Sequence, residues 1–211
     1  IAMKDLEIRG AGDLLGGEQS GFINEMGFET YQKILDEAIN ELKEDSFKNL
    51  DLEKNKFSKK VNVVFETDLE LMFPNNYINS SNERLKLYTQ LNKICELDEL
   101  NSFKLELIDR FGTLPNVVVE LLNSLKLRWL AGALGFDKIV LKKNILISYM
   151  KNFDSNEQKK KLDKLFDYSN LNPHSISFSQ KKLADGDRFT VKIINIDSIS
   201  MSIKVFEDIN T

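Results

Sequence analysis

Leu105-Glu106-Leu107-Ile108-Asp109-Arg110-Phe111-Gly112-Thr113-Leu114-Pro115 holds the end of one helix, a stop and the start of the next. Upstream of Gly112, Leu100, Phe103, Leu107, Ile108 and Phe111 recur at three- and four-residue steps. That spacing predicts an amphipathic helix from about Asp98 with these five side chains inward. A glycine just past the last periodic residue suits a left-handed cap, and proline suits the first turn of a new helix because its missing N–H would have no partner there. Val118, Leu121, Leu122, Leu125 and Trp129 then give the new helix a broad apolar face that ends by Gly135. On the other side, Ser80-x-x-Glu83 is a capping-box signal opening a helix through Leu85, Tyr88, Leu91, Ile94 and Cys95. Three consecutive helices with short breaks predict a compact helical layer.

Strand signals lie on both sides of this layer. Val61, Val63 and Phe65 alternate with Asn62 and Glu66, and Pro74-Asn75-Asn76 turns the chain. Residues 138–141 and 144–149 read as a hairpin turned at Lys142-Lys143-Asn144. Ser155-x-x-Gln158 opens a basic helix through Leu162, Leu165 and Phe166. Residues 175–179 and 189–196 look like strands around Asp185-Gly186, a hairpin-turn dipeptide. Asp197 suits the cap of a last helix with Ile199, Ile203 and Phe206 on one face, although its Ser/Ile composition also suits a strand. Helices in runs and strands mostly as hairpins make the fold class α+β.

The first sixty residues differ. Five glycines crowd positions 10–21, around Arg9, Gln19 and several carboxylates. Glycine lets the main chain approach another surface closely. Such a loop is either an ordinary connector or a fixed shape that presents Arg9, a planar donor fork, and Gln19 to a ligand. Neither a phosphate loop ending in Gly-Lys-Ser/Thr nor a strand-anchored Gly-x-Gly-x-x-Gly fits the spacing. Phe28, Tyr31, Ile34, Leu35, Ala38, Ile39 and Leu42 predict a long amphipathic helix, and residues 45–60 a polar linker. The expected organisation is therefore a helical hook with a long amphipathic helix over 1–45, a linker over 46–60, and a compact domain of packed helices and β-hairpins over 61–211. The chain opens inside a motif without Met, and reads as a fragment of something longer.

Charge is uneven. Residues 1–54 carry 6 Lys/Arg against 13 Asp/Glu, whereas residues 55–211 carry 23 against 20. An acidic segment is a poor vehicle for general phosphate binding, so Arg9 would meet DNA as one positioned contact. Residues 138–192 hold 12 Lys/Arg against 6 Asp/Glu, including Lys159-Lys160-Lys161; this suits a solvated basic helix or, alternatively, a DNA-holding surface. The single cysteine, Cys95, excludes an internal disulfide and reads as a small buried hydrophobe. No apolar run approaches a membrane span and no signal peptide is evident, so no membrane partner is expected. The one histidine, His174, follows Pro173 in an expected loop without metal-binding or catalytic company. No catalytic residue, metal site or cofactor is expected in the chain. Glu106 and Asp109, at i and i+3, share one side of their helix and gain nothing from each other. They either face solvent, Asp109 beside Arg110, or await cationic partners.

The run from Asp5 to Gly21 with Met26-Gly27-Phe28 and Tyr31 resembles the translocation motif of the RecG/Mfd branch of superfamily-2 helicases. Glu7, Arg9, Gly10, Gly12, Gly16, Gln19 and Gly21 match that motif, in which the arginine and glutamine convert ATP hydrolysis into movement on double-stranded DNA. RecG-like chains end soon afterwards. Here Leu105–Pro115 resembles a second motif, that of the C-terminal domain of the Mfd or transcription-repair coupling factor (TRCF) family. The resemblance implies a bacterial, cytoplasmic and nucleoid-associated parent. That parent would be an ATP- and magnesium-dependent translocase that displaces stalled RNA polymerase and recruits excision repair through UvrA. It implies that this chain's C-terminal domain packs on a UvrB-like module of the same parent through Glu106 and Asp109, hiding the surface that recruits UvrA. The chain itself lacks the nucleotide-binding motifs and is not expected to hydrolyse ATP. Two other functions fit less of the sequence: an accessory DNA-binding domain, and the tail of a RecG-like branch-migration helicase.

Overall fold

A computed structural model describes Gly27, Thr30, Tyr31 and residues 63–151, 155–183 and 186–210. The expected hook, most of the helix after it, the linker, Val61 and Asp185 lie outside the described residues. The elements are β1 (Val64–Thr67), α1 (Ser81–Lys93), α2 (Leu97–Phe111), α3 (Asn116–Ala133), β2 (Lys138–Lys142), β3 (Ile145–Met150), α4 (Asn156–Leu171), β4 (Ile176–Leu183), β5 (Gly186–Ile194) and α5 (Ile199–Asn210). The described chain is α+β, as its sequence pattern predicts. It forms two compact units, one holding Glu70–Leu121 and the other Val61–Leu69 with Leu122–Thr211.

In the first unit, the Ser80 hydroxyl accepts from the Glu83 N–H at 3.3 Å and so caps α1. Leu87, Tyr88 and Leu91 of α1, and Leu100, Phe103 and Leu107 of α2, are buried with Leu71, Phe73, Ile78, Val118 and Leu121. The Phe73 N–H donates to the Tyr88 hydroxyl at 2.9 Å, and the two rings lie 4.9 Å apart. Burial pushes the Tyr88 phenol up to about 12. Arg84 is also buried, its guanidinium donating to the carbonyls of Ile78 at 2.6 Å and Asn79 at 3.2 Å. The first of these bonds satisfies a carbonyl at the buried Ile78.

Two sequence expectations change here. The α1 pattern was expected to carry Ile94 and Cys95 inward, but Ile94 is an extended C-cap (ψ 126°) and Cys95 is exposed beyond it. The apolar run outlasts the helix, so periodicity alone placed Cys95 one turn too deep. In α2, Ile108 is 40% exposed rather than inward, and Phe111 is half-buried. Leu100, Phe103 and Leu107 already form a complete inward stripe, and Ile108 lies one residue round the helix from it.

The second unit is a five-stranded sheet in the order β1-β2-β3-β5-β4. Strands β1 and β2 pair in parallel, and every other pair is antiparallel. The β2–β3 turn uses left-handed Lys143 (φ 52°) and Asn144 (φ 59°), the geometry that matches the twist of the flanking strands. The register aligns Ile139, Ser148 and Val191 in one row, and Leu141, Leu146, Ile193 and Ile176 in the next. All are buried. Helices α3 and α5 are joined by Lys126–Glu207 at 2.7 Å and Asn123–Ser200 at 3.0 Å, and Lys164 of α4 reaches the Asn210 carbonyl at 2.5 Å. Ser198, one residue beyond the expected Asp197, caps α5 through the Met201 N–H at 3.2 Å.

Candidate functional site

Helix α2 presents the first unit's acidic surface. Asp98 and Glu99 occupy its first turn, where carboxylates favour the helix dipole, and the Glu99 carboxylate accepts from the Cys95 N–H at 2.9 Å. Gly112 stops it at φ 84°, its N–H donating to the Ile108 carbonyl at 2.9 Å. The Tyr77 hydroxyl lies 3.2 Å from the carbonyls of both Leu107 and Gly112 and so holds the last turn; burial raises its phenol above the usual range. The helix end is thereby fixed, and with it the residues Glu106 to Phe111.

Glu106 and Asp109 have different surroundings. Glu106 is half-buried and accepts from Arg110 at 2.9 Å. Arg110 also donates to Glu83 of α1 and sits 4.8 Å from the Phe111 ring centroid. The hydrogen bonds to Glu83, then to Glu106, hold the Arg110 guanidinium above its usual value. Asp109 is exposed and, among the described residues, has no ion-pair or hydrogen-bonding partner. The arginine thus pairs with the carboxylate one turn back rather than with its sequence neighbour. An open groove of about 530 Å³ runs between α1 and α2, its lining including Gln90, Ile94, Asp98, Glu99, Phe103 and Glu106. Lys93 also lines the groove, so its margin carries both charges, with the carboxylates of Asp98, Glu99 and Glu106 in excess.

Glu7, Arg9, Gly10, Gly12, Gly16, Gln19 and Gly21 lie outside the described residues. The described remainder of that segment reaches the first unit through Tyr31. Its ring stacks on Tyr88 at 5.5 Å, and its hydroxyl lies 3.1 Å from the Thr89 hydroxyl. Sequence periodicity assigned Tyr31 only to an apolar helix face and carried no signal for a partner 57 positions away.

In the basic half some cations are paired within the chain, whereas Lys143, Lys181, Lys182 and Lys192 are exposed. Lys138 and Lys142 both pair with Glu66, at 2.6 and 3.4 Å, and hold its carboxyl below the usual range, Lys138 contributing most. Arg188 pairs with Asp137 and is buried. Lys159 and Lys160 stay exposed on α4, as does His174 in the loop after it. Among the described residues no group of three or more His, Cys, Asp or Glu side chains could hold a metal ion. No described helix is long and apolar enough to cross a membrane.

Residues 67–162, which include all of α2, match the TRCF domain. This stretch belongs to the TRCF domain family. The chain is 37% identical over 118 residues to the transcription-repair-coupling factor of Bacillus subtilis, a match covering 56% of this chain and 9% of the relative. It is 37% identical over 142 residues to that of Escherichia coli (66% of this chain, 12% of the relative). With that of Rickettsia conorii it shares 33% over 189 residues (88% and 16%). The matches thus span about a tenth to a sixth of these relatives' length. A crystal structure of the C-terminal domain of transcription-repair coupling factor superposes with a TM-score of 0.53 at 16% identity, covering 71% of this chain and 92% of that one. At that identity it establishes that the TRCF domain here shares its fold.

Proposed function

We propose that this chain is the regulatory end of a bacterial transcription-repair coupling factor. The parent is a cytoplasmic, nucleoid-associated translocase that moves on double-stranded DNA, displaces stalled RNA polymerase and recruits excision repair through UvrA. Its ATP and magnesium act in motor lobes outside this chain. The glycine-rich loop, through Arg9 and Gln19, couples hydrolysis to movement. The TRCF domain keeps the parent closed by setting Glu106 and Asp109 of α2 against a basic patch of a UvrB-like module. What supports the clamp is the position of these carboxylates on a helix end fixed by Tyr77 and Gly112, with Asp109 exposed and Glu106 held, among the described residues, by the exposed Arg110 alone.

Charge reversal of both residues tests it. Losing one side of a desolvated charge pair costs on the order of 2–5 kcal/mol, and a rim pair much less. In the full-length parent, Glu106→Lys with Asp109→Lys should tighten UvrA binding more than about tenfold, since 1.4 kcal/mol is a factor of ten. Circular dichroism of this chain should be unchanged, because both side chains lie off the buried face. Unaltered UvrA affinity with an intact fold would remove the two carboxylates from the clamp.

A further inference from the structure

Helix α2 has a second apolar stripe, and it faces outward. Leu97, Leu105 and Ile108 are 48%, 67% and 40% exposed, while Leu100, Phe103 and Leu107 fill the core side. At 3.6 residues per turn, Leu97, Asn101, Leu105 and Ile108 fall within an arc of about 80° and run about 16 Å along the axis. Asp98 and Asp109 border this stripe on one edge, with Ser102 and Glu106 beyond them; the exposed Lys104 borders the other. Single exposed leucines are ordinary, but three large apolar side chains aligned on one helix suggest an interaction surface.

We propose that Leu105, supported by Leu97 and Ile108, is the apolar anchor of the surface by which α2 docks on a basic protein surface with an apolar recess. The occupant is the UvrB-like module, so this rests on the autoinhibitory clamp above. The charges identify the partner's chemistry: carboxylates along one edge require cations opposite them, and Lys104 favours an acidic or neutral group on the other. That asymmetry also fixes the direction in which α2 lies. Water-exposed carboxylates steer the approach and are screened by salt, whereas an anchor removed from water at the centre slows dissociation.

The test uses the full-length parent, titrated with UvrA at low and high salt. Leu105→Ala should tighten UvrA binding about tenfold at both salts. Asp109→Asn should do so mainly at low salt, and Leu171→Ala, which trims a leucine 83% exposed on α4, should change nothing. If the carboxylate variants release the clamp and Leu105→Ala does not, the anchor is wrong and the clamp stands. If none changes UvrA affinity while the fold is intact, the clamp itself fails and the anchor with it. If Leu105→Ala lowers the melting temperature of this chain as much as Leu107→Ala does, Leu105 is structural and the proposal falls. It also falls if wild type sediments as a dimer that Leu105→Ala dissociates, because the stripe's occupant is then a second copy.

Discussion

Arg110 in the first unit and Arg188 in the second each hold carboxylates, yet their settings differ. Arg110 is 38% exposed and bridges Glu83 and Glu106, themselves 26% and 41% exposed. Arg188 is 9% exposed and pairs with Asp137, which is 31% exposed but has one oxygen buried and, among the described residues, without a partner. An arginine in water exchanges solvent for carboxylates at little gain, and can exchange them again for a partner's groups. An arginine under the surface has given up that solvent, so its carboxylate cannot be removed cheaply. The first pair suits a surface that meets something; the second holds the start of β2 against β5.

The largest effect should come from breaking the second pair. Arg188→Ala leaves the partly buried Asp137 without its counter-ion and should destabilise the chain by at most roughly 3 kcal/mol, the low end of the range for a buried pair, because Asp137 is 31% exposed. Urea denaturation would measure it, and a loss below about 1 kcal/mol would place Arg188 with Arg110 in the exposed class.

A second prediction asks whether the first unit also has a buried polar centre. Tyr88→Phe leaves the Phe73 N–H without its acceptor and should cost about 1–2 kcal/mol at neutral pH. The Tyr88 phenol titrates at about 12 in the folded chain because burial disfavours its charged form. An unfolded tyrosine titrates near 10. The stabilisation is therefore complete below about pH 10 and is lost between about 10 and 12, at about 1.4 kcal/mol per pH unit. Denaturant midpoints across that window should fall less steeply for Tyr88→Phe than for wild type. Equal slopes would mean that Tyr88 is solvated.

How far these settings were legible depended on sequence distance. The helix boundaries were written locally: Ser80 and Ser155 cap their helices as their spacing to Glu83 and Gln158 predicts. Gly112 and Gly135 take the left-handed conformations expected of stops. The β2–β3 turn fell where Lys143 and Asn144 stood. Orientation was harder wherever a helix is apolar on two sides. In α2 the three- and four-residue steps admit Ile108 to either stripe, and only the burial of Leu100, Phe103 and Leu107 decides between them. Pairing at long range left no local trace. The parallel β1–β2 ladder joins Val64 to Lys138, and the Arg110 bracket needs Glu83 from another helix. The candidate contact residues were therefore legible as a motif, but not the arginine that occupies one of them.

Arg110→Gln should have the smallest effect, and it tests the comparison from the exposed side. The substitution removes a charge that touches two carboxylates and an aromatic ring, which on contact number alone would resemble Arg188. Exposure predicts otherwise. Water can replace the guanidinium around Glu83 and Glu106, and neither carboxylate is left buried. Exposed pairs contribute little and are screened by salt, so this chain should lose far less stability than Arg188→Ala costs it, and part of that loss should vanish in high salt. Parallel urea titrations of Arg110→Gln and Arg188→Ala at low and high salt would measure both terms. The expected pattern is a small, salt-dependent loss for the first and a large, nearly salt-independent loss for the second. Equal losses would mean that Arg110 is part of the first unit's framework, and that Glu106 is not available to a partner without unfolding the end of α2.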